Sequence, residues 1–166
     1  MNRVTGYVSA VQYQRRVELF TASGTFTPPA GVTYAIAYIR GGGGSVGTAS
    51  NEAGGNSSVA FASGTVTATG GAAAPTMFAF GNYRVTAGTA NSGQGAKGNQ
   101  FRTADVGDSS VTFGGDGAYV VSGAAVTAGT GITVTVGAGG TAGTNGAAGG
   151  SGVVWIEYDQ PIGAGL

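Results

Sequence analysis

Cysteine and histidine are both absent from this chain. Disulfides, thiolate chemistry, imidazole metal ligation and any Ser-His-Asp or Cys-His arrangement are therefore excluded. Charge is scarce: charged residues make up 8% of the 166, with seven basic against seven acidic side chains. A net charge of zero leaves no electrostatic footprint for nucleic acid and no polybasic patch for a membrane. No apolar run approaches the ~20 residues that span a bilayer. The N-terminal MNRVTGYVSAVQYQRR lacks the apolar stretch of a secretory signal. Bulky apolar mass is scarce too, with Val, Ile, Leu and Phe together about a fifth of the chain.

What fills the space is glycine, at 35 residues. Ordering glycine costs about 0.5–1 kcal/mol more than ordering alanine in a regular element. A thin core and this much glycine predict a protomer that gains burial from partner chains. No segment shows the i, i+3, i+4 period of a helix. Short runs of period two, separated by turn residues, predict an all-β fold, an antiparallel, jelly-roll-like sandwich with long glycine-rich loops.

The organising stretch is 20–44, FTASGTFTPPAGVTYAIAYIRGGGG. Phe20–Thr27 alternates, Pro28-Pro29-Ala30-Gly31 stops it, and Tyr34–Ile39 resumes, which predicts a hairpin. Val59–Thr69 reads as a strand pair or one bent strand, with Gly64 at the bend. Met77–Phe80 and Tyr83–Val85 read as a hairpin across Gly81-Asn82. Val111–Phe113 and Ala118–Val121 read as another across Asp116-Gly117. Ile132–Val136 and Val153–Tyr158 complete the strands. Residues 87–100 read as the most loop-like segment. The predicted domain runs over 20–158, with a tail at 159–166.

Residues 1–19 carry Tyr7, Val11 and Tyr13 on one parity, followed by Arg15 and Arg16. They read as a docking strand or arm, and an ordinary edge strand satisfies the same pattern. The glycine-rich segments 41–56, 87–100 and 137–151 can present backbone groups directly to a ligand, or serve only as permissive turns. Their candidate contact residues are Gly41, Gly44, Ser45, Asn51, Asn91, Gln94, Lys97 and Asn145.

The carboxylates are Glu18, Glu52, Asp105, Asp108, Asp116, Glu157 and Asp159. None forms a convincing acid–base pair, and no catalytic, metal or cofactor residue is assigned. Asp105 and Asp108 read as a turn, with a calcium site or a catalytic pair as the lesser alternatives, and Glu157 as a solvent-facing or interface strand position. Gly137–Ala142 fits a loose GxGxxA pattern, but more glycine follows where a dinucleotide site needs a helix. Tyr34, Tyr38, Phe61, Phe78, Phe80, Phe113 and Trp155 read as core or protomer interface; Tyr83, Tyr119 and Tyr158 could reach a surface.

Five motifs occur in a recognisable order: Gly24–Thr33, Tyr34–Gly44, Ser57–Gly71, Ile132–Gly140 and Gly152–Tyr158. Together they resemble the glycine-rich C-terminal domain of bacteriophage tail-fibre and tail-tip proteins over residues 20–158. The resemblance implies a non-enzymatic virion protein that needs no cofactor. It implies a homo-oligomer, a trimer, beside other virion proteins, with a host glycan or outer-membrane protein as receptor. Such a protein is made in the host cytoplasm and released by lysis. The second role it allows is decoration of the capsid or tail without a receptor, which the short N-terminal segment favours.

Overall fold

The computed structural model describes residues 11–47, 49–74, 82–101 and 111–162. Every regular element among them is a strand, eleven in chain order: β1 (Tyr13–Phe20), β2 (Gly24–Phe26), β3 (Tyr34–Arg40), β4 (Ser57–Phe61), β5 (Gly64–Ala68), β6 (Asn82–Thr86), β7 (Lys97–Phe101), β8 (Val111–Phe113), β9 (Tyr119–Ala125), β10 (Ile132–Thr135) and β11 (Val153–Pro161). The fold is an all-β sandwich. One antiparallel sheet has the order β1-β11-β3-β9, the other β2-β10-β4-β5, and a separate three-stranded sheet runs β6-β7-β8.

Alternation builds the core. Ala35, Ala37 and Ile39 of β3 face inward with Val154 and Ile156 of β11 and Ala124 of β9. From the opposite sheet come Phe26, Val59, Phe61, Ala68, Ile132 and Val134. Each fully buried Phe, Ile or Val contributes about 1.5–3 kcal/mol. Four of the inward residues are alanine, so the two sheets meet over little carbon. Tyr158 closes one end, its ring 5.3 Å from that of Phe26.

The Pro28–Gly31 turn forms as predicted, with Gly31 at φ 80° and the Val32 N–H donating to the Pro29 carbonyl at 3.1 Å. It does not close a hairpin. β2 pairs with β10 and β3 with β11 and β9, so the turn carries the chain from one sheet to the other. Phe26 and Ile39 still point at the same core, but from opposite sides, a distinction that parity cannot express. β4 and β5 form the expected pair, turning at Gly64 with φ 137°.

Three further expectations change. β1 begins at Tyr13 and pairs with β11 along all eight residues, so 13–20 is an integral edge strand, and the boundary expected after residue 19 falls inside it. Four of the five residues of β7 lie in the segment read as loop-like, and β7 pairs with β6 and β8. Val111–Phe113 and Ala118–Val121 do not pair with each other: β8 joins β7 while β9 joins β3. Met77–Phe80, Asp105 and Asp108 lie outside the described residues.

The largest difference concerns the glycine segments. They pack side by side into an ordered layer that continues from the end of the sandwich. Gly41–Val46 runs through its centre, every residue buried. Its six N–H groups donate outward in strict rotation, at 2.8–3.1 Å. Gly41 and Gly44 donate to Ala118 and Gly115, Gly42 and Ser45 to Gly55 and Glu52, and Gly43 and Val46 to Gly150 and Ala147. Three neighbouring segments are thus contacted in turn, each running antiparallel to the centre. Three others donate back: Gly71 and Ala74 to the carbonyls of Gly42 and Ser45, Gly140 to Gly43, and Ala96 to Gly44. None of these bonds is internal to the central segment. A period of three with all bonding external is the pattern of the polyproline II helix. Six threads around one satisfy a buried backbone without a sheet.

Candidate functional site

Thread direction sorts the turns into two groups. The central thread leaves β3 at Arg40, and the segments from β5 and β10 run out alongside it. The turns at 49–51 and 141–146 therefore lie at the end of the layer away from the sandwich. They touch there: the Thr144 N–H donates to the Ala49 carbonyl at 2.9 Å. The turn at 90–92 lies at the opposite end, where the Gly93 N–H meets the carbonyl of Ser151, two residues before β11.

The candidate contact residues separate accordingly. Gly41, Gly44 and Ser45, expected in a contact loop, lie in the interior. A Cβ on Gly41 would strike the Thr69 carbonyl and one on Gly44 the Ala72 carbonyl, so glycine is present there for close backbone approach. Ser45 Oγ accepts from the Glu52 N–H at 2.7 Å. Asn51 sits at the far end, its amide donating to the carbonyls of Gly47 at 3.1 Å and Ala74 at 3.0 Å, which ties two turns together. Asn145 is exposed at the same end with φ 51°. Asn91 (φ 57°) is at the base, exchanging hydrogen bonds with Ser151. Gln94 is there too, its Oε1 accepting from Thr89 Oγ1 at 2.9 Å. Asparagine tolerates the left-handed backbone that both of these turns use. The side chain of Lys97 and all of Tyr7 lie outside what the structure describes.

Beside Gln94 the base carries a polar depression of about 230 Å³, lined by Arg40, Thr89, Ser92, Gln94 and Asp116. Asp116 accepts from the Gly95 N–H at 2.7 Å and lies 3.7 Å from the Arg40 guanidinium. Its work is to join threads. Among the described residues no cluster of three or more acidic side chains could hold a metal.

The residues read as a docking arm line the edge of the first sheet. Val11, Tyr13, Arg15 and Arg16 are all exposed. Tyr13 and Arg15 share the outer face with Val17 and Leu19, which are 61% and 62% exposed. That face continues through Trp155 and Glu157 of β11, Tyr38 and Ile36 of β3, and Tyr119 and Val121 of β9. Trp155 stacks on Tyr38 at 5.3 Å and 5°, with Tyr119 tilted against it at 6.0 Å. At one end a cleft of about 340 Å³ opens between Tyr13, Tyr34 and the Arg15–Glu157–Asp159 group. Arg15 reaches Glu157 at 2.9 Å and Asp159 at 3.3 Å, and Tyr38 donates to Glu157 at 2.9 Å. The hydrogen bond to Asp159, then the charge of Glu157, raises the Arg15 pKa. The bond to Glu157, then desolvation, raises that of the Tyr38 phenol. Burial raises that of Tyr158.

This face was not singled out from the sequence as a unit. The available signal was the parity shared by Trp155, Glu157 and Asp159, with Glu157 already read as outward or at an interface. The opposite sheet's outer face, by contrast, is small and polar: Thr25, Thr133, Thr135, Ser58, Thr65 and Thr67. Comparison of the chain with protein-family models, with curated proteins and with solved structures yields no match.

Proposed function

We propose that this chain is a structural protein of a bacteriophage particle, a tail-fibre or tail-tip component whose glycine layer holds its far turns toward the host surface. The observation that carries this reading is the placement of 49–51 and 141–146 together, at the end of a layer held by backbone bonds. Exposed residues in such turns can change without disturbing either the threads or the sandwich beneath. The motif order quoted above supplies the phage context. The chemistry on offer is recognition, through hydrogen-bonding turns presented to a glycan or an outer-membrane protein. The test is adsorption: labelled protein should bind host cells and compete with infection, and the exposed tip variant Asn145→Gly, which suits the same backbone, should weaken both. A fully folded protein that neither binds cells nor competes would overturn it.

Decoration of the capsid or tail is the second reading. The open aromatic and aliphatic face of the first sheet favours it, because patches of this kind mark protein contacts. Labelling of intact particles separates the two: signal at tail tips supports the first, signal over the capsid or along the tail the second.

A further inference from the structure

We propose that two copies of this chain join through β1, edge to edge about a twofold axis at Val17, to make one continuous eight-stranded sheet. The inference is independent of which virion role the chain has, and it replaces the expected trimer with a closed pair.

The starting point is how little covers β1. Among the described residues it has a hydrogen-bonded neighbour on one side only, β11. Residues 11–17 are all exposed, and Val17 and Leu19 stand more than 60% open on the outer face. Its register with β11 is unbroken over eight residues, with no bulge, glycine or proline. Natural edges are usually shortened, kinked or interrupted, because a row of free N–H and C=O groups is a template for another strand. β1 shows one such device, charges on its inward-facing parity, Arg16 and Glu18. Those charges also choose a partner.

Facing residues in an antiparallel pair lie on the same side of the sheet, so a twofold that preserves inside and outside must pass through a residue position. Centred on Arg15, Arg16 or Glu18, the pair sets that charge against its own copy, which is destabilising. Centred on Val17, Arg16 faces Glu18 of the second copy and Glu18 faces Arg16. Val17 then meets Val17, Arg15 faces Leu19, and Gln14 faces Phe20. Both opposite-charge pairs form, and the exposed Val17 and Leu19 gain apolar neighbours. An isologous contact of this kind uses both free β1 edges and stops at two.

Cysteine placement tests the register, since the chain has no cysteine of its own. Under mild oxidation Val17→Cys should give a disulfide-linked dimer on a non-reducing gel. Arg15→Cys or Leu19→Cys alone should not, because each lies roughly 13 Å from its own copy, beyond disulfide reach. The two mixed should cross-link to each other. Charge exchange tests the affinity by sedimentation. Arg16→Glu and Glu18→Arg should each weaken the dimer about tenfold or more, and the double variant should restore it. The positions are exposed or half-buried, and circular dichroism confirms that each variant is folded. A folded protein that stays monomeric at a concentration on the order of 100 µM, cross-linking that is no faster at 17 than at 19, or a double variant no better than the singles would each overturn the proposal.

Discussion

The sandwich and the glycine layer are held together by opposite means. In the sandwich, side chains interdigitate: Ile39, Val154 and Ile156 meet Phe26, Val59 and Val134 across two sheets. In the layer, backbone meets backbone, and a side chain at Gly43 or Gly44 would occupy the place of a neighbour's carbonyl. One region depends on carbon being present, the other on carbon being absent. The sandwich gains from burying apolar area. The layer gains from hydrogen-bonding its buried N–H groups, as along Gly41–Val46, at the entropic cost of ordering glycine. A chain with a thin apolar core can thus remain ordered well beyond it.

Opposite substitutions should break the two regions, and the largest effect is expected in the layer. Gly43→Val places its branch against the Gln94 carbonyl and should cost more than about 3 kcal/mol by denaturant unfolding, because threads rather than rotamers must move. The sandwich glycine Gly24 meets only the Phe20 ring at 3.5 Å, so Gly24→Ala should stay within about 0.5 kcal/mol of the parent. Equal losses at 24 and 43 would erase the distinction. Ile39→Ala removes carbon from the sandwich and should cost about 3 kcal/mol in the same measurement.

The joint between the regions comes next. Ser57 is fully buried, and its Oγ accepts from the Gly137 N–H at 2.9 Å. Ser57→Ala strands that donor and should cost about 2 kcal/mol. Amide exchange should show the loss of protection concentrated at Gly137 and its neighbours. The smallest effect is electrostatic and belongs to the sandwich alone. Tyr38 and Tyr158 both have raised pKa values in the folded chain. Their contribution is complete below the ordinary tyrosine range near ~10 and is lost as pH rises through the folded values. Unfolding midpoints should therefore fall in strong alkali, less steeply in Tyr38→Phe.

Period two located β3, β4, β5, β10 and β11 within two residues, apart from the C-terminal end of β11, because each has one face on the core and one in water. It failed where partners had to be named. Phe20–Thr27 reads as one strand by alternation but divides at 21–23, leaving Phe20 in one sheet and Phe26 in the other. Residues 114–118 looked like hairpin turn chemistry and are instead a thread bonded to the centre of the layer. Asn91 and Asn145 were singled out for contact, and their positive φ also explains asparagine at both positions. Trp155 and Tyr38 read as core or protomer interface and lie on the outer face of the first sheet, since alternation says which residues share a face and not whether anything covers it.

Composition and alternation by themselves determined that this chain is all-β, without thiol or imidazole chemistry, and too poor in carbon for a large core. Only the tertiary structure decided that Gly41–Val46 lies at the centre of a bonded bundle while Val17 and Leu19 stand in water. The physical reason is that a glycine carries no mark of its surroundings: the same residue suits an open turn and a site too narrow for a Cβ. Which of the two it occupies depends on segments far apart in the chain meeting around it.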